Sequence, residues 1–244
     1  MIPLVLFIVL MTAPAQAAEK SRGCFESKLC IGGVTLATIG GFVAADEEIN
    51  RWVRNGRRGG LGDILGQGFG DDGSILDRLG GVTGAVGVPA LFYLGGVAAD
   101  SDRARRTGVT TFEAIVFTGL LTQAAHYTFG RSRPDNPDTS GVRRFKPFQR
   151  EGFFPSGHTT LAFTMAAVIA EEYESIWVDA AAYTTASLVG FSRVYRNRHW
   201  SSDVAAGAAL GIIGGKFISR WERKKGLLKK LYTDGSGVFF KNKF

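Results

Sequence analysis

Only three histidines occur in the 244 residues, and each falls in or beside a short basic or glycine-rich motif. Long apolar runs are also few. Only Val82 to Ala99 and Val109 to Phe129 approach the ~20 residues that a bilayer crossing needs, and the second contains Glu113. The mean hydropathy of +0.06 is ordinary for a soluble protein and low for a fully membrane-embedded one. Strictly alternating apolar segments are lacking, so strands are expected to be scarce. The glycine-dense stretch 56–87 carries no Walker lysine and no calcium-loop spacing. No helix-turn-helix, zinc-finger or aromatic-basic RNA motif accompanies the net charge of +7, which argues against nucleic acid as the partner. The charge sits in clusters, Arg51 to Arg58, Arg103 to Arg106, Arg131 to Arg150 and Arg220 to Lys230, a distribution that suits anionic lipid head groups or phosphorylated substrates.

The first residues read as an export signal. Leu4 to Met11 is too short to span, and Ala15-Gln16-Ala17 gives the small-x-small pattern at which a signal peptidase cuts, although no Lys or Arg precedes the apolar run. Residues 1–17 are therefore expected to be removed. Export places Cys24 and Cys30 in an oxidising compartment, leaving open a small-loop disulfide or two thiols. Residues 18–109 read as N-terminal helices with a glycine-rich loop, 110–219 as the core carrying the motifs, and 220–244 as a basic tail.

Six Gly/Ala-rich apolar segments follow: Ile31–Ala45, Val82–Ala99, Val109–Phe129, Thr159–Ala170, Val178–Phe191 and Val204–Ser219, with a short helix near Ile75–Leu79. Their length and lack of alternation predict an all-α bundle of five to six helices, associated with a membrane. Gly207, Gly211 and Gly215 recur every four residues and would let another helix approach closely. If the signal is cleaved and Ile31–Ala45 does not span, five crossings place loops 130–157 and 192–202 together in the periplasm and Arg220–Lys230 in the cytoplasm. A wholly periplasmic soluble bundle is the alternative. Leu231 to Phe244 is expected to fray, a hairpin or membrane-contacting tail being the other readings.

The histidine motifs are Pro155-Ser156-Gly157-His158 and Ser192-Arg193 followed by His199 and Asp203; upstream, Arg133-Pro134 lies seven residues after His126. Together they offer what a phosphorus oxyanion demands. Arg133 and Arg193 supply planar forks that match phosphate oxygens. Ser156 reads as an N-cap, and the amides after it as an anion-binding helix start that Gly157 lets a ligand approach. His199 and Asp203, four apart, are expected on one helical turn, with the carboxylate holding one ring nitrogen. His158 is then placed to protonate a departing oxygen.

These residues resemble the superfamily of type 2 phosphatidic acid phosphatases and vanadium haloperoxidases, whose motifs read Lys-x6-Arg-Pro, Pro-Ser-Gly-His and Ser-Arg-x5-His-x3-Asp. The second and third match without exception; in the first, His126 stands where the family has lysine. The resemblance spans about residues 110–218. It implies a phosphohistidine mechanism with no metal ion or other cofactor: His199 as nucleophile, Asp203 orienting it, His158 as general acid. Arg133, Arg193, Ser156 and Gly157 would bind the phosphoryl oxygens, with His126 in the lysine's place. Arg131 reads as a solvated or supporting charge rather than a ligand.

The expected function is hydrolysis of a phosphomonoester or pyrophosphate of a lipid at the periplasmic face of the inner membrane. The alternatives are a soluble periplasmic acid phosphatase acting on small phosphate esters, a vanadate-dependent haloperoxidase, and an inactive relative that only binds a phosphorylated lipid.

Overall fold

The computed structural model describes residues 28–56, 74–135, 145–148, 152–225, 231–233 and 238–240. Seven helices cover most of them: α1 (Lys28–Gly56), α2 (Ile75–Gly80), α3 (Val82–Ala98), α4 (Asp102–Phe129), α5 (Gly157–Tyr173), α6 (Ile176–Tyr195) and α7 (Ser201–Lys225). The chain is thus a helical bundle, as its apolar segments predict. The expectations for residues 1–17, for Cys24 and for the glycine-dense stretch 57–73 lie outside the described residues, as does the side chain of Cys30.

α1 runs eleven residues past Ala45, where the apolar run ends. Its continuation is helical because Asp46, Asn50 and Val53, spaced for one face, are all buried. Two of the three are polar, so hydropathy alone does not register that face. Hydroxyl caps start two other helices: Ser74 Oγ accepts from Asp77 N–H at 3.3 Å, and Ser101 Oγ from Ala104 N–H at 3.3 Å. α4 stops at Gly130, whose left-handed φ of 53° lets its N–H return to the His126 carbonyl at 2.9 Å.

α5 is the central helix, with α7, α6 and α4 packed around it; α3 lies on α4 and α1 on α7. The glycine row on α7 makes its contact with α5 possible. A methyl at Gly211 would lie 2.5 Å from the Thr160 carbonyl, and one at Gly215 would lie 2.9 Å from Ala167 Cβ. Phe163, Val189, Val194 and Val204 fill the core between α5, α6 and α7. Between α4 and α5 the interior is threonine-rich: Thr118 and Thr164 donate to carbonyls four residues back at 2.8 and 2.7 Å, and their two hydroxyl oxygens lie 3.0 Å apart.

Much apolar surface faces outward. Val82, Val86, Leu91 and Leu94 of α3, Phe112, Val116 and Leu120 of α4, and Ile213, Phe217 and Trp221 of α7 are exposed. Among the described residues, no helix is both long and apolar enough to cross a membrane. The C-terminal segment also departs from the expected fray. β1 (Leu231–Thr233) pairs antiparallel with β2 (Val238–Phe240), Tyr232 opposite Phe239. Aromatic and β-branched residues on either side of four turn-forming residues favour that ladder.

Candidate functional site

The polar residues singled out in the sequence gather at one end of the bundle, where α5 and α7 begin and α4 and α6 end, with the short α2 packed against α5 and α6. Arg193 occupies the last turn of α6, and residues 196–200 turn back over it, with Arg198 N–H donating to the Arg193 carbonyl at 3.0 Å. His199 lies in this turn rather than on a helix, which corrects the expectation that it shares a helical turn with Asp203. The pair nevertheless meets: Asp203 is in the first turn of α7, and its Oδ2 is 3.5 Å from His199 Nδ1. Asp203 Oδ2 also accepts the Trp200 N–H at 2.9 Å, folding back over the helix start as a capping acid does. That bond, together with Arg131 NH1 on Oδ1 at 2.5 Å, fixes the carboxylate's rotation. The Ser156 N–H donates to the Asp203 carbonyl at 2.9 Å and so ties the start of α5 to the start of α7.

His158 stands in the first turn of α5, opposite α2. Asp77 Oδ1 is 3.5 Å from His158 Nε2, 2.5 Å from Arg193 NH1 and 2.9 Å from Arg196 NH1, so one carboxylate links the histidine to two guanidinium groups. Burial pushes His158 down from 6.5 to about 4, and the charge of Arg193 adds to this while Asp77 opposes it. His199, almost fully enclosed, is also lowered by burial, against the pull of Asp203. Both shifts favour the neutral imidazole. Arg133 stacks on the Phe153 ring at 3.9 Å, and its charge also disfavours protonation of both histidines, which places it in the same field. Burial lowers Arg133 and Arg193 themselves, and the Nε of Arg193 is a buried donor with no partner among the described residues.

Ser156 is the N-cap residue of α5 in extended conformation, but its hydroxyl makes no cap bond; it accepts from Thr159 Oγ1 at 3.0 Å. At Gly157 an added Cβ would meet only Thr122 Cγ2, at 3.9 Å, so internal packing does not demand glycine there. His126 Nε2 is 2.8 Å from the Pro155 carbonyl oxygen, a contact between α4 and the loop before α5. Arg131 is not solvated: it is wholly buried, between Asp203 and Asp46.

Sequence reading missed Asp46, Asp77, Arg196 and Ser202. None belongs to a motif, and only folding brings them near His199 and His158. Among the described residues no three His, Cys, Asp or Glu side chains converge as a metal centre requires. A cavity of 470 Å³, lined by apolar residues that include Leu79, Val88, Met165 and Trp177, runs from α2 between α3, α5 and α6. It adjoins the polar site, since Val189 lines it and a Cβ on Gly80 would lie 2.6 Å from Val189 and 3.1 Å from His158 Cβ.

The family model described as the PAP2 superfamily matches residues 108–227. A lipid A 1-phosphatase of Porphyromonas gingivalis is 42% identical over 125 residues, 50% of this chain but 24% of that protein, so the chain spans about a quarter of its relative. The crystal structure of Aquifex aeolicus LpxE superposes with a TM-score of 0.51 at 25% identity, over 72% of this chain and 94% of that one. A transmembrane PAP2-type phosphatidylglycerolphosphate phosphatase from Bacillus subtilis shares the fold, with a TM-score of 0.55 at 20% identity over 92% and 96% of the two chains.

Proposed function

We propose that this chain, which the PAP2 superfamily model matches over residues 108–227, is a metal-independent phosphatase acting on a lipid phosphomonoester or pyrophosphate through a phosphohistidine. The observation that carries this reading is the convergence of His199, held beside Asp203, with His158 and Arg193 at one end of the bundle.

In this reading Asp203 keeps the proton on His199 Nδ1, leaving Nε2 as the nucleophile. The new bond joins Nε2 to phosphorus; the bond from phosphorus to the leaving oxygen breaks, and that oxygen takes its proton from His158. Water then attacks the phosphohistidine, giving a proton back to His158 and releasing phosphate. A neutral His199 suits the first step. His158 must be protonated for it; burial is the first cause of the ring's low basicity, and the phosphoryl group's negative charge counters the second, Arg193, which raises the ring's affinity for a proton in the complex. Arg133, Arg193, the Ser156 hydroxyl and the amides from Gly157 onward cradle the oxygens, where fixed donors favour the transition state most. The open side of Gly157 supports that assignment. His126 holds the loop through the Pro155 carbonyl and stands in for the lysine of the family motif.

Two features support a lipid as the substrate. The apolar cavity beside His158 can take an acyl or isoprenyl chain, and the exposed apolar faces of α3, α4 and α7 suit lipid contact, which favours a membrane-associated protein; the export signal read in residues 1–17 would place its site in the periplasm. Phosphate release by the purified protein from lipid phosphates in detergent, and from soluble monoesters, tests this. His199→Ala is expected to abolish release, and lipids are expected to be turned over at least 10-fold faster than soluble esters. Turnover surviving in His199→Ala rules out the mechanism; equal rates on soluble esters rule out the lipid preference.

A further inference from the structure

We infer that Asp46, on α1 and outside the matched residues 108–227, is a positioning residue of the catalytic site, acting through Arg131 on Asp203. The three side chains are wholly buried, and the guanidinium spans the two carboxylates: NH2 to Asp46 Oδ2 at 2.7 Å, NH1 to Asp203 Oδ1 at 2.5 Å. Ser202 closes the cluster. Its hydroxyl accepts from Arg131 NH1 at 2.6 Å and donates to Asp46 Oδ2 at 2.6 Å.

The far side of Asp46 is equally tied. Its Oδ1 accepts from Ser201 Oγ at 2.6 Å and from the Ser202 N–H at 2.8 Å. Arg131 lies 5.0 Å from the Phe145 ring, 5.5 Å from Trp200 and 5.9 Å from Phe154, so aromatic faces surround the guanidinium without competing for its donors. A planar fork held at two corners has one orientation, and only arginine offers it. Asp46 fixes Arg131; Arg131 holds Asp203 Oδ1; Oδ2 is thereby left facing His199 Nδ1 at 3.5 Å.

A carboxylate that caps the start of α7 has a purely structural use as well, because the first amides of any helix lack partners. The two roles differ in what they would change. Loss of a cap weakens folding and leaves the reacting groups alone once the protein is folded. Loss of the relay leaves the Trp200 N–H as the remaining hold on the Asp203 carboxylate, which loosens its orientation, alters the His199 ring itself and slows phosphoryl transfer without weakening substrate binding.

The inference rests on His199 being the nucleophile, and its test separates the two claims. Asp46→Asn keeps the size of the side chain and an acceptor for the Ser202 amide while removing the charge facing Arg131. Its kcat on a lipid phosphate is expected to fall about 10–100-fold, by analogy with the loss that follows removal of a residue orienting a metal ligand, with KM within about 3-fold. On an Asp203→Asn background the same substitution should cost less than about 3-fold, since the relay is already cut. With only three histidines in the chain, ¹⁵N-histidine NMR resolves each ring, and Asp46→Asn should shift the His199 nitrogens while leaving those of His126 in place. Should Asp46→Asn fail to fold, Arg131→Lys serves for the same readouts, because an ammonium cannot span both carboxylates.

Unchanged kcat in folded Asp46→Asn, or effects that multiply fully with Asp203→Asn, overturns the relay while His199→Ala stays inactive. Full turnover by His199→Ala overturns the phosphohistidine reading instead.

Discussion

Removing the Asp77 charge should destabilise the protein and, at the same time, make it more responsive to phosphate. Asp77 Oδ1 is within 2.9 Å of Arg193 and Arg196, whose side chains are almost buried, while Asp77 itself is 23% exposed. At about 3 Å and an effective permittivity near 20, each attraction is worth about 5 kcal/mol before desolvation is counted. Breaking a fully buried pair costs about 3–5 kcal/mol because a charge is left unpaired. The partial exposure of Asp77 returns some of that through water, so Asp77→Asn should cost about 2–3 kcal/mol. Phosphate would face the same arginines without a competing carboxylate and should bind about 10-fold more tightly, adding about 1.4 kcal/mol to its stabilisation of the folded state. Urea unfolding of both proteins with and without saturating inorganic phosphate measures both quantities. Equal stability without phosphate, or equal stabilisation by it, would show that Asp77 does not counterbalance the phosphate-binding arginines.

Stability should fall as pH drops from 6.5 to 4. The folded protein holds His158 unprotonated down to about 4 while the unfolded chain takes up its proton near 6.5, so acid favours unfolding through that window, by about 3 kcal/mol for this ring alone; His199 acts in the same direction. Denaturant titrations of wild type and His158→Gln should show a shallower slope in the variant, and parallel slopes would refute the assignment. Gly211→Ala should destabilise by about 1–2 kcal/mol, because its methyl meets the Thr160 carbonyl. Gly119→Ala, where a methyl meets nothing within 4 Å, should instead stabilise by up to about 1 kcal/mol. Thermal melts of the two variants decide this, and a loss at both positions would show that helix approach is not what selects glycine.

The helices were legible because their apolar runs are long and do not alternate, which strands exposed on one face would require; α3, α5 and α6 fall within a few residues of their apolar segments. α1 was half legible, since its last turns bury Asp46 and Asn50, and hydropathy has no means of recognising a buried face that is polar. Ser156 was legible as the start of α5 from residue type, but not the loss of its cap bond to Thr159, which depends on the neighbouring turn.

The sequence by itself determined the chemistry on offer: two histidines, an aspartate, arginines and a helix start at Gly157 preceded by Ser156, at spacings that short-range geometry preserves. Tertiary structure decided how those groups are held. Asp46, Asp77 and Arg131 act between elements 70 or more residues apart in most of their contacts. A carboxylate or guanidinium reads as an ordinary surface charge until the fold removes it from water. Once buried, its partner determines its orientation, and no pattern along the chain names that partner.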